Sequence, residues 1–234
     1  MDVITLYQFS PFWGLPNISP FCMKLEGYLK LGGIDYKIKP QNDPRKGPKK
    51  KIPYIKIGNR YMGDSERIYD YLKSQDLIDL DSQLTDEERA IHHAMGVMCD
   101  DALYFVLIYN RWVDEVNWDT FSNEVFSSLP KMVRMFVSKQ VRKKMQGDIV
   151  AHGLGLHAKE EIYAMGDNHI AALGEYLGDN TWYGGSKPSK LDVCVVSYVA
   201  NIIKPPLQNP LKASVQKWPN LIALAEKGLK EIYA

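Results

Sequence analysis

A chain of 234 residues is longer than one average domain and shorter than two full ones, so we expect one large unit or two unequal units. Hydrophobic residues make up 45% and charged residues 24%, which excludes a disordered polymer and provides for a sizeable core. The net charge of +1 removes the whole-protein electrostatic argument for nucleic acid or an anionic membrane as the main partner.

Cysteine usage, apolar run length and the N-terminal sequence together predict a soluble, cytoplasmic protein without membrane insertion. Cys22, Cys99 and Cys194 are too few and too far apart for a disulfide framework, which favours a reducing compartment. The longest mostly apolar run, Ala102–Tyr109, falls far short of the roughly 20 residues that span a bilayer. The chain starts acidic at Asp2 and enters a strand-like run, so we expect no secretory signal.

The N-terminal third shows strand and helix patterns in turn. Val3–Phe9 alternates apolar and polar residues and predicts a strand. Ser19 is a good N-cap, with Pro20 at the first helical position and apolar residues at helical spacing as far as Leu31. The remaining elements predicted here are strands at Tyr36–Lys39, Tyr54–Ile57 and Arg60–Met62 and a helix capped by Asp64 or Ser65. A βαβ unit followed by a hairpin and a helix is the order of a thioredoxin-like domain.

The rest of the chain predicts helices alone. Thr85 and Glu88 resemble a capping box, and so do Ser189 and Asp192, which we assign to folding rather than chemistry. Helical periodicity continues from the first box through Val116 and recurs over Leu129–Ala151, Lys159–Leu177 and Val193–Ile203. The predicted fold class is therefore α/β plus all-α. We place a thioredoxin-like domain at 1–78, a linker at 79–84 and an all-helical domain at 85–234.

Five motifs carry a family resemblance: Ser19–Cys22, Gly47–Ile55, Asp64–Glu66, His152–His157 with Glu160 and Glu161, and Ser189–Asp192. Together they resemble the cytosolic glutathione transferase superfamily. The His-Gly-x-Gly-x-His stretch is similar to the metaxin-like branch, which includes the failed axon connections proteins. The likeness runs over nearly the whole chain. It implies a glutathione-binding thioredoxin-like domain, a helical glutathione transferase C-terminal domain and a homodimer.

The resemblance implies a glutathione site around a cis Ile52–Pro53 bond. The Ile52 N–H and C=O would pair with the cysteinyl backbone of the tripeptide, as an added strand does. Ser65 would hold the γ-glutamyl carboxylate at a helix N-terminus, where donors are unpaired and the dipole is positive. Asp64 would face the γ-glutamyl ammonium, and Lys51 would pair with the glycyl carboxylate. Without the resemblance, these motifs predict a helix cap and a solvated lysine loop.

Ser19 is the residue that we predict to activate the glutathione thiol. A free thiol with a pKa of about 8.5 is mostly protonated at neutral pH, and a hydroxyl at a helix N-terminus favours the thiolate. Two alternatives stay open: Tyr7, where some glutathione transferase classes place a catalytic tyrosine, and Cys22 through a mixed disulfide. Each residue also has a structural interpretation, Ser19 as an N-cap, Tyr7 as strand packing and Cys22 as a small buried residue.

The second substrate would lie between the domains, where pockets are common. Tyr104, Tyr109 and Trp112 provide an aromatic surface on the first helix of the bundle. Phe12 and Trp13 belong to an insertion at 10–18 that departs from the family pattern, and they would either cover the thiol site or form a wall for an apolar substrate. The alternative is that the aromatic stripe is bundle core.

We predict no metal site. His152, His157, Glu160 and Glu161 suggest one, because the second histidine and a glutamate would share a helix face. The glycines at 153 and 155 instead favour a break between helices, and His157 followed by Glu160 predicts a helix start with Glu160 at the third helical position.

The predicted function is a glutathione transferase with reduced glutathione as co-substrate. It would direct the activated thiolate at a small hydrophobic electrophile or a peroxide, without a metal or a nucleic-acid partner. One alternative is a non-catalytic protein that uses the same fold for binding or scaffolding. Another is glutathione-dependent thiol exchange through Cys22.

Overall fold

The computed structural model describes residues 3–233, and its N-terminal part is a mixed four-stranded sheet. The strands are β1 (Ile4–Gln8), β2 (Tyr36–Pro40), β3 (Tyr54–Ile57) and β4 (Arg60–Gly63). Their order is β2-β1-β3-β4, with β2 parallel to β1 and β3 antiparallel to both of its neighbours. Helix α1 (Pro20–Leu31) joins the parallel pair, which confirms the predicted βαβ unit.

Two helices pack on this sheet. Strand alternation directs Ile4, Leu6 and Ile55 into a buried core that they share with Leu25 of α1 and Ile68 of α2 (Ser65–Ser74). The described chain between β2 and β3 contains one 3₁₀ turn, Pro44–Lys46, and otherwise runs as a loop. This loop leads directly to the predicted glutathione residues.

The described residues of the second part of the chain form helices joined by turns and loops, with no strand among them. Its elements are α3 (Asp86–Val97), a π-helical segment (Met98–Leu103), α4 (Tyr104–Trp112), α5 (Glu115–Val125), α6 (Lys131–His152), a 3₁₀ turn (Leu154–Leu156), α7 (Lys159–Leu177), α8 (Lys190–Ile203), α9 (Pro210–Gln216) and α10 (Pro219–Tyr233). The helix predicted to continue through Val116 ends at Trp112, because Asp114 caps a new helix there and accepts the Val116 N–H at 3.3 Å. Periodicity did not predict α5, because it buries polar Asn117 and Ser122.

The predicted helix caps are confirmed, with one shift of register. Thr85 with Glu88 and Ser189 with Asp192 each form a reciprocal capping box. At the start of α7 the residue that reaches back is Glu161, whose Oε2 accepts the Ala158 N–H at 2.9 Å. The prediction that Glu160 occupies the third helical position is therefore wrong by one residue.

Helix α1 packs closely against the helical part. Val193 of α8 and Ile232 of α10 are buried in the same core as the sheet residues. At Gly27 an added Cβ would lie 2.5 Å from both Val193 Cγ1 and Tyr233 Oη, so only glycine permits this approach. The two parts thus share one interface across α1.

Residues 86–112 form a continuous helix that is long and apolar enough, by length and composition alone, to cross a membrane. Core helices of water-soluble proteins pass the same test. Here Leu103, Val106 and Leu107 lie in the core of the helical part. Asp100 and Asp101 interrupt the apolar pattern, which is why the longest uninterrupted run was short.

Candidate functional site

Ser19 caps α1 at the end of the inserted loop. Its Oγ accepts the N–H of Cys22 at 3.4 Å, and Pro20 occupies the first helical position. The Ser19 N–H donates to Oδ1 of buried Asn17 at 3.0 Å, and the Asn17 amide donates to the Phe9 carbonyl at 2.7 Å. Asn17 therefore ties the end of the loop to the end of β1. Ser19 itself is partly exposed, as an activating hydroxyl requires.

Arg111 holds the same loop from the helical part. Its Nη1 donates to the Ile18 carbonyl at 2.6 Å, and its Nη2 donates to the carbonyl and Oδ1 of Asn201 at 3.0 and 2.9 Å. Burial lowers the pKa of Arg111 to about 10, so the guanidinium is charged at neutral pH. Because Ile18 precedes Ser19, α4 and α8 together fix the position of Ser19. The signal for this supporting role in the sequence is that an arginine lies two residues after the apolar run Ala102–Tyr109.

The Ile52–Pro53 peptide bond is cis, as predicted. Ile52 is buried in one cluster with Tyr7, Cys22 and Tyr54, which places it beside the first turn of α1. Neither the N–H nor the C=O of Ile52 makes a hydrogen bond to another described residue. These two groups are therefore available to a ligand.

The start of α2 lies next to Ile52 through the sheet register. Tyr54 pairs with Gly63, and Asp64 and Ser65 follow directly. Asp64 caps the helix with φ 85° and also forms an ion pair with Lys49 at 3.0 Å. Ser65 is buried at the first helical position, and its hydroxyl makes no hydrogen bond to the residues at 3–233. The structure thus brings Ile52, Asp64 and Ser65 to one end of the β3–β4 hairpin.

A buried lysine on α1 connects the start of α2 to the helical part of the protein. Lys24 on α1 is 1% exposed, and its Nζ contacts Glu66 of α2 at 2.8 Å and Asp100 of the π-helical segment. Burial opposes ionisation of Glu66, but the ammonium groups of Lys24 and Lys190 outweigh it and lower the pKa of Glu66 to about 2. Burial raises the pKa of Asp100, and Lys24 offsets part of this effect. The sequence reasoning assigned no role to Lys24 or Asp100.

The loop before Ile52 is tightly folded. A Cβ on Gly47 would lie 2.2 Å from the Lys51 carbonyl oxygen. Lys50 has φ 54°, a left-handed conformation that favours glycine. The Lys51 side chain is exposed, consistent with either a ligand contact or a solvated loop.

Gly47→Ala is expected to lower the free energy of unfolding by about 2 kcal/mol, because the added methyl group overlaps the Lys51 carbonyl. Urea denaturation measures the change. Gly96→Ala on α3 is the matched control: nothing lies within 4 Å of its Cβ, so alanine should stabilise the helix by about 1 kcal/mol. Equal stabilities for the two variants would contradict the tight packing at Gly47.

Tyr7 and Cys22, the two alternatives to Ser19, are both packed inside the domain. The Tyr7 ring stacks on the Tyr54 ring with 4.4 Å between centroids, and Lys39 Nζ lies 5.4 Å from the centroid of the Tyr7 ring. Cys22 is fully buried, and burial raises the pKa of its thiol to about 12. This geometry favours the packing interpretation of each residue over a catalytic one.

Phe12 and Trp13 line a cleft of about 1070 Å³ between the inserted loop, β2 and α10. The predicted glutathione residues lie outside the lining of this cleft. The Trp13 ring also lies 5.9 Å from Phe121, and its indole N–H donates to Glu124 on the same helix, α5. The inserted loop therefore contacts both parts of the protein, and the cleft that it lines does not include the Ile52–Pro53 bond.

The three predicted aromatic residues of α4 point to different surroundings. The Tyr104 ring lies 4.8 Å from the ring of Phe21, which is on the first turn of α1, two residues after Ser19. The Trp112 ring lies 4.7 Å from Phe121, the ring that the inserted loop also contacts. Tyr109 packs 5.9 Å from a tyrosine of α7. The structure thus places Tyr104, of these three, beside α1, and Tyr109 in the bundle.

The histidines considered for a metal have other neighbours. His152 stacks on Phe105 at 3.8 Å between ring centroids, and His157 Nδ1 lies 3.5 Å from Glu161. Within 3–233, no group of three or more potential metal ligands comes together.

Family comparison gives a match in each part of the chain. The glutathione S-transferase N-terminal domain matches residues 20–117, and the glutathione S-transferase C-terminal domain matches residues 166–227. The chain belongs to the glutathione S-transferase superfamily. The fold class predicted from the resemblance, a thioredoxin-like sheet domain followed by a helical domain, is confirmed.

The relatives of this superfamily member include a named transferase and proteins whose names state no reaction. Failed axon connections of Drosophila melanogaster is 31% identical over 94% of this chain, which spans 56% of that protein. The isoprene-epoxide–glutathione S-transferase of Rhodococcus sp. strain AD45 is 28% identical over 98% of this chain and 99% of that protein. A metaxin-1 homolog of Caenorhabditis briggsae is 27% identical over 92% of this chain and 69% of that protein.

Solved structures show the same fold. Bombyx mori glutathione transferase BmGSTD1 aligns over 99% of this chain and 89% of its own, with a TM-score of 0.63 and 15% identity. The superfamily assignment rests on the two family matches, and the solved structures show the same fold.

Proposed function

We propose that this glutathione S-transferase superfamily member binds reduced glutathione beside Ile52 and activates the thiol with the Ser19 hydroxyl. The observation that carries the proposal is the free main chain of Ile52, whose N–H and C=O make no hydrogen bond to a described residue. Cys22 on the first turn of α1 packs against Ile52, and the start of α2 follows the strand paired with Tyr54. Two helix N-termini thus flank one free backbone edge.

In this arrangement each part of the tripeptide has a partner. The cysteinyl backbone would pair with Ile52 as a short added strand. The γ-glutamyl carboxylate would accept hydrogen bonds from Ser65 and the first N–H groups of α2. The γ-glutamyl ammonium would pair with Asp64, displacing Lys49, and Lys51 would pair with the glycyl carboxylate.

Ser19 would then stabilise the thiolate. Lowering a thiol pKa from about 8.5 by two units takes about 2.7 kcal/mol of differential stabilisation. A hydroxyl hydrogen bond and the positive end of the α1 dipole both act on the charged form. The thiol proton would leave to solvent. The thiolate would attack a carbon of a small electrophile such as an epoxide, so that an S–C bond forms as the C–O bond of the ring breaks, and the alkoxide would take up a proton from solvent. The named epoxide transferase among the relatives supports this substrate class.

A non-catalytic binding or scaffolding role is the second candidate. The similarity to failed axon connections and to a metaxin homolog favours it, as does the Lys49–Asp64 ion pair, which occupies a predicted ligand group. Thiol exchange through Cys22 has less support, because its thiol is buried and its pKa is raised.

Calorimetry with reduced glutathione separates the two candidates. We expect binding, with a loss of about tenfold in Ser65→Ala, because a hydrogen bond to a charged group contributes about 1.5 kcal/mol. Ser74→Ala at the other end of α2, where the hydroxyl donates to the Tyr71 carbonyl, is the matched control and should bind normally. No binding at millimolar glutathione would favour the scaffolding role.

Lys49→Met is expected to raise the affinity for glutathione about two- to fivefold, because the ligand ammonium no longer competes for Asp64 in an exposed ion pair. Lys46→Met, in the same loop, is the control for the loss of one positive charge. An affinity that falls equally in both variants would mean that Asp64 does not face the ammonium.

The homodimer and the cytoplasmic location belong to the same proposal and come from the resemblance and the cysteine usage. Sedimentation of the full chain at micromolar concentration tests the first. A monomer throughout would contradict it.

A further inference from the structure

Helix α6 exposes large apolar side chains in its first two turns. Met132 is 79% exposed, Phe136 65%, Met135 56% and Val133 47%. Scattered apolar residues on a surface are normal, but four within five consecutive positions form a contiguous patch that marks an interaction site.

The rest of the same helix face is cationic. Met132, Phe136, Lys139 and Lys143 are spaced four, three and four apart, so they lie along one line on the exposed side. The buried residues of α6, Ser138 among them, lie on the other side. Over its 22 residues α6 carries six basic residues and one acidic residue, a net charge of +5, although the whole chain carries +1.

These charges are largely uncompensated on the exposed face. Arg142, on the flank of the helix, pairs with Glu115, and Lys144 pairs with Asp148. Among the described residues, these are the two ion pairs of α6, and Lys139 and Lys143 form none. The second half of the helix is fixed, because Arg142 donates to the carbonyls of α4 and the following turn at 2.8 and 3.0 Å. The face is therefore held outward on a rigid support.

We propose that this face of α6 docks on an anionic lipid surface. Met132, Met135 and Phe136 would enter the headgroup region, and Lys139 and Lys143 would pair with lipid phosphates. The patch is the convex side of a single helix rather than a groove, so it suits a deformable, flat partner. A second copy of the chain fits poorly. A parallel twofold contact along this line would place Lys139 and Lys143 near their own copies, and an antiparallel one would set them against Phe136 and Met132 with no carboxylate partner.

Co-sedimentation of the full chain with vesicles tests the proposal. We expect binding to vesicles of phosphatidylcholine mixed with phosphatidylserine, weakening as salt rises, and little binding to phosphatidylcholine alone. Lys139→Gln with Lys143→Gln should weaken binding about 30-fold, since each lysine near an anionic surface contributes about a factor of five. Met132→Ser with Phe136→Ser should weaken it at least tenfold.

Lys46→Gln with Lys187→Gln is the matched control: it removes the same charge from two exposed sites elsewhere and should change binding little. Equal losses in the control and in the α6 lysine variant would overturn the proposal, because general charge would then explain the binding. An absence of binding to the mixed vesicles would also overturn it. So would loss of self-association, without any effect on vesicles, in the Met132→Ser, Phe136→Ser variant, because the patch would then be an interface between copies.

Discussion

Replacing Lys24 with methionine is expected to lower the free energy of unfolding by about 3 kcal/mol. Lys24 is 1% exposed and is the shared cation of Glu66 and Asp100, whose side chains are 37% and 17% exposed. Methionine fills much of the same space, so packing changes little. The loss arises because Asp100 keeps a largely buried carboxylate without its counter-ion. Urea denaturation at neutral pH measures the effect.

The dependence on pH distinguishes this ionic role from packing. The pKa of Glu66 is lowered from 4.5 to about 2 in the folded protein, so its ionised form contributes stability above about pH 4.5 that is lost as the pH falls towards 2. The gap between wild type and Lys24→Met should therefore narrow in acid. A gap that stays constant with pH would indicate a packing effect alone.

Two further variants complete the test. Lys24→Met combined with Asp100→Asn should recover part of the lost stability, because no unpaired carboxylate remains at that position. Lys73→Met on α2 removes a lysine from an exposed pair with Asp79 and should cost less than about 1 kcal/mol. A similar small loss in Lys24→Met would contradict the buried network.

Ser19→Ala is expected to reduce turnover of a model electrophile up to about 25-fold at neutral pH while glutathione affinity changes little. A rise of the thiol pKa from about 6.5 to about 8.5 lowers the ionised fraction at pH 7 from about three quarters to about 3%. The Ile52 main chain and the start of α2, which would hold the tripeptide, do not depend on the Ser19 hydroxyl. The pH profile of kcat/KM provides the direct measurement, because its acidic limb reports the thiol pKa and should move upward in the variant.

Controls for Ser19→Ala address its second role as an N-cap. Losing the cap costs about 1 kcal/mol of stability, so the fraction folded must be checked by denaturation. Ser19→Thr keeps a hydroxyl and should retain activity. Tyr7→Phe and Cys22→Ser should be active because both residues are packed. Full activity in Ser19→Ala, or its loss in Tyr7→Phe, would remove Ser19 from the mechanism.

Local sequence patterns predicted most of the secondary structure because their causes are local. A cap such as Ser19 or Ser189 forms its hydrogen bond within three or four residues, and strand alternation acts over a few positions. The same logic failed at α5, where buried Asn117 hides the apolar period. The cis Ile52–Pro53 bond came from the family resemblance.

Long-range partners decided what the sequence patterns left open at the site. Tyr104, Tyr109 and Trp112 formed one stripe in the sequence, yet each contacts a different neighbour in the structure. Arg111 supports the loop before Ser19 through Ile18, 93 positions away in the chain. No periodicity encodes such a pairing, because it depends on how α4 packs against α1.

The sequence alone predicted the strands and most helices, since these follow from short motifs and local hydrogen bonding, and its family resemblance supplied the superfamily and the residues expected around Ile52. Tertiary structure decided which charges are neutralised and which faces stay open. Lys24 meets Asp100 only after α1 packs on the helical part, so its charge is buried and paired. Helix α6 packs through its other side, so Phe136 and Lys139 remain on the surface, and the near-neutral charge of the whole chain conceals that local excess.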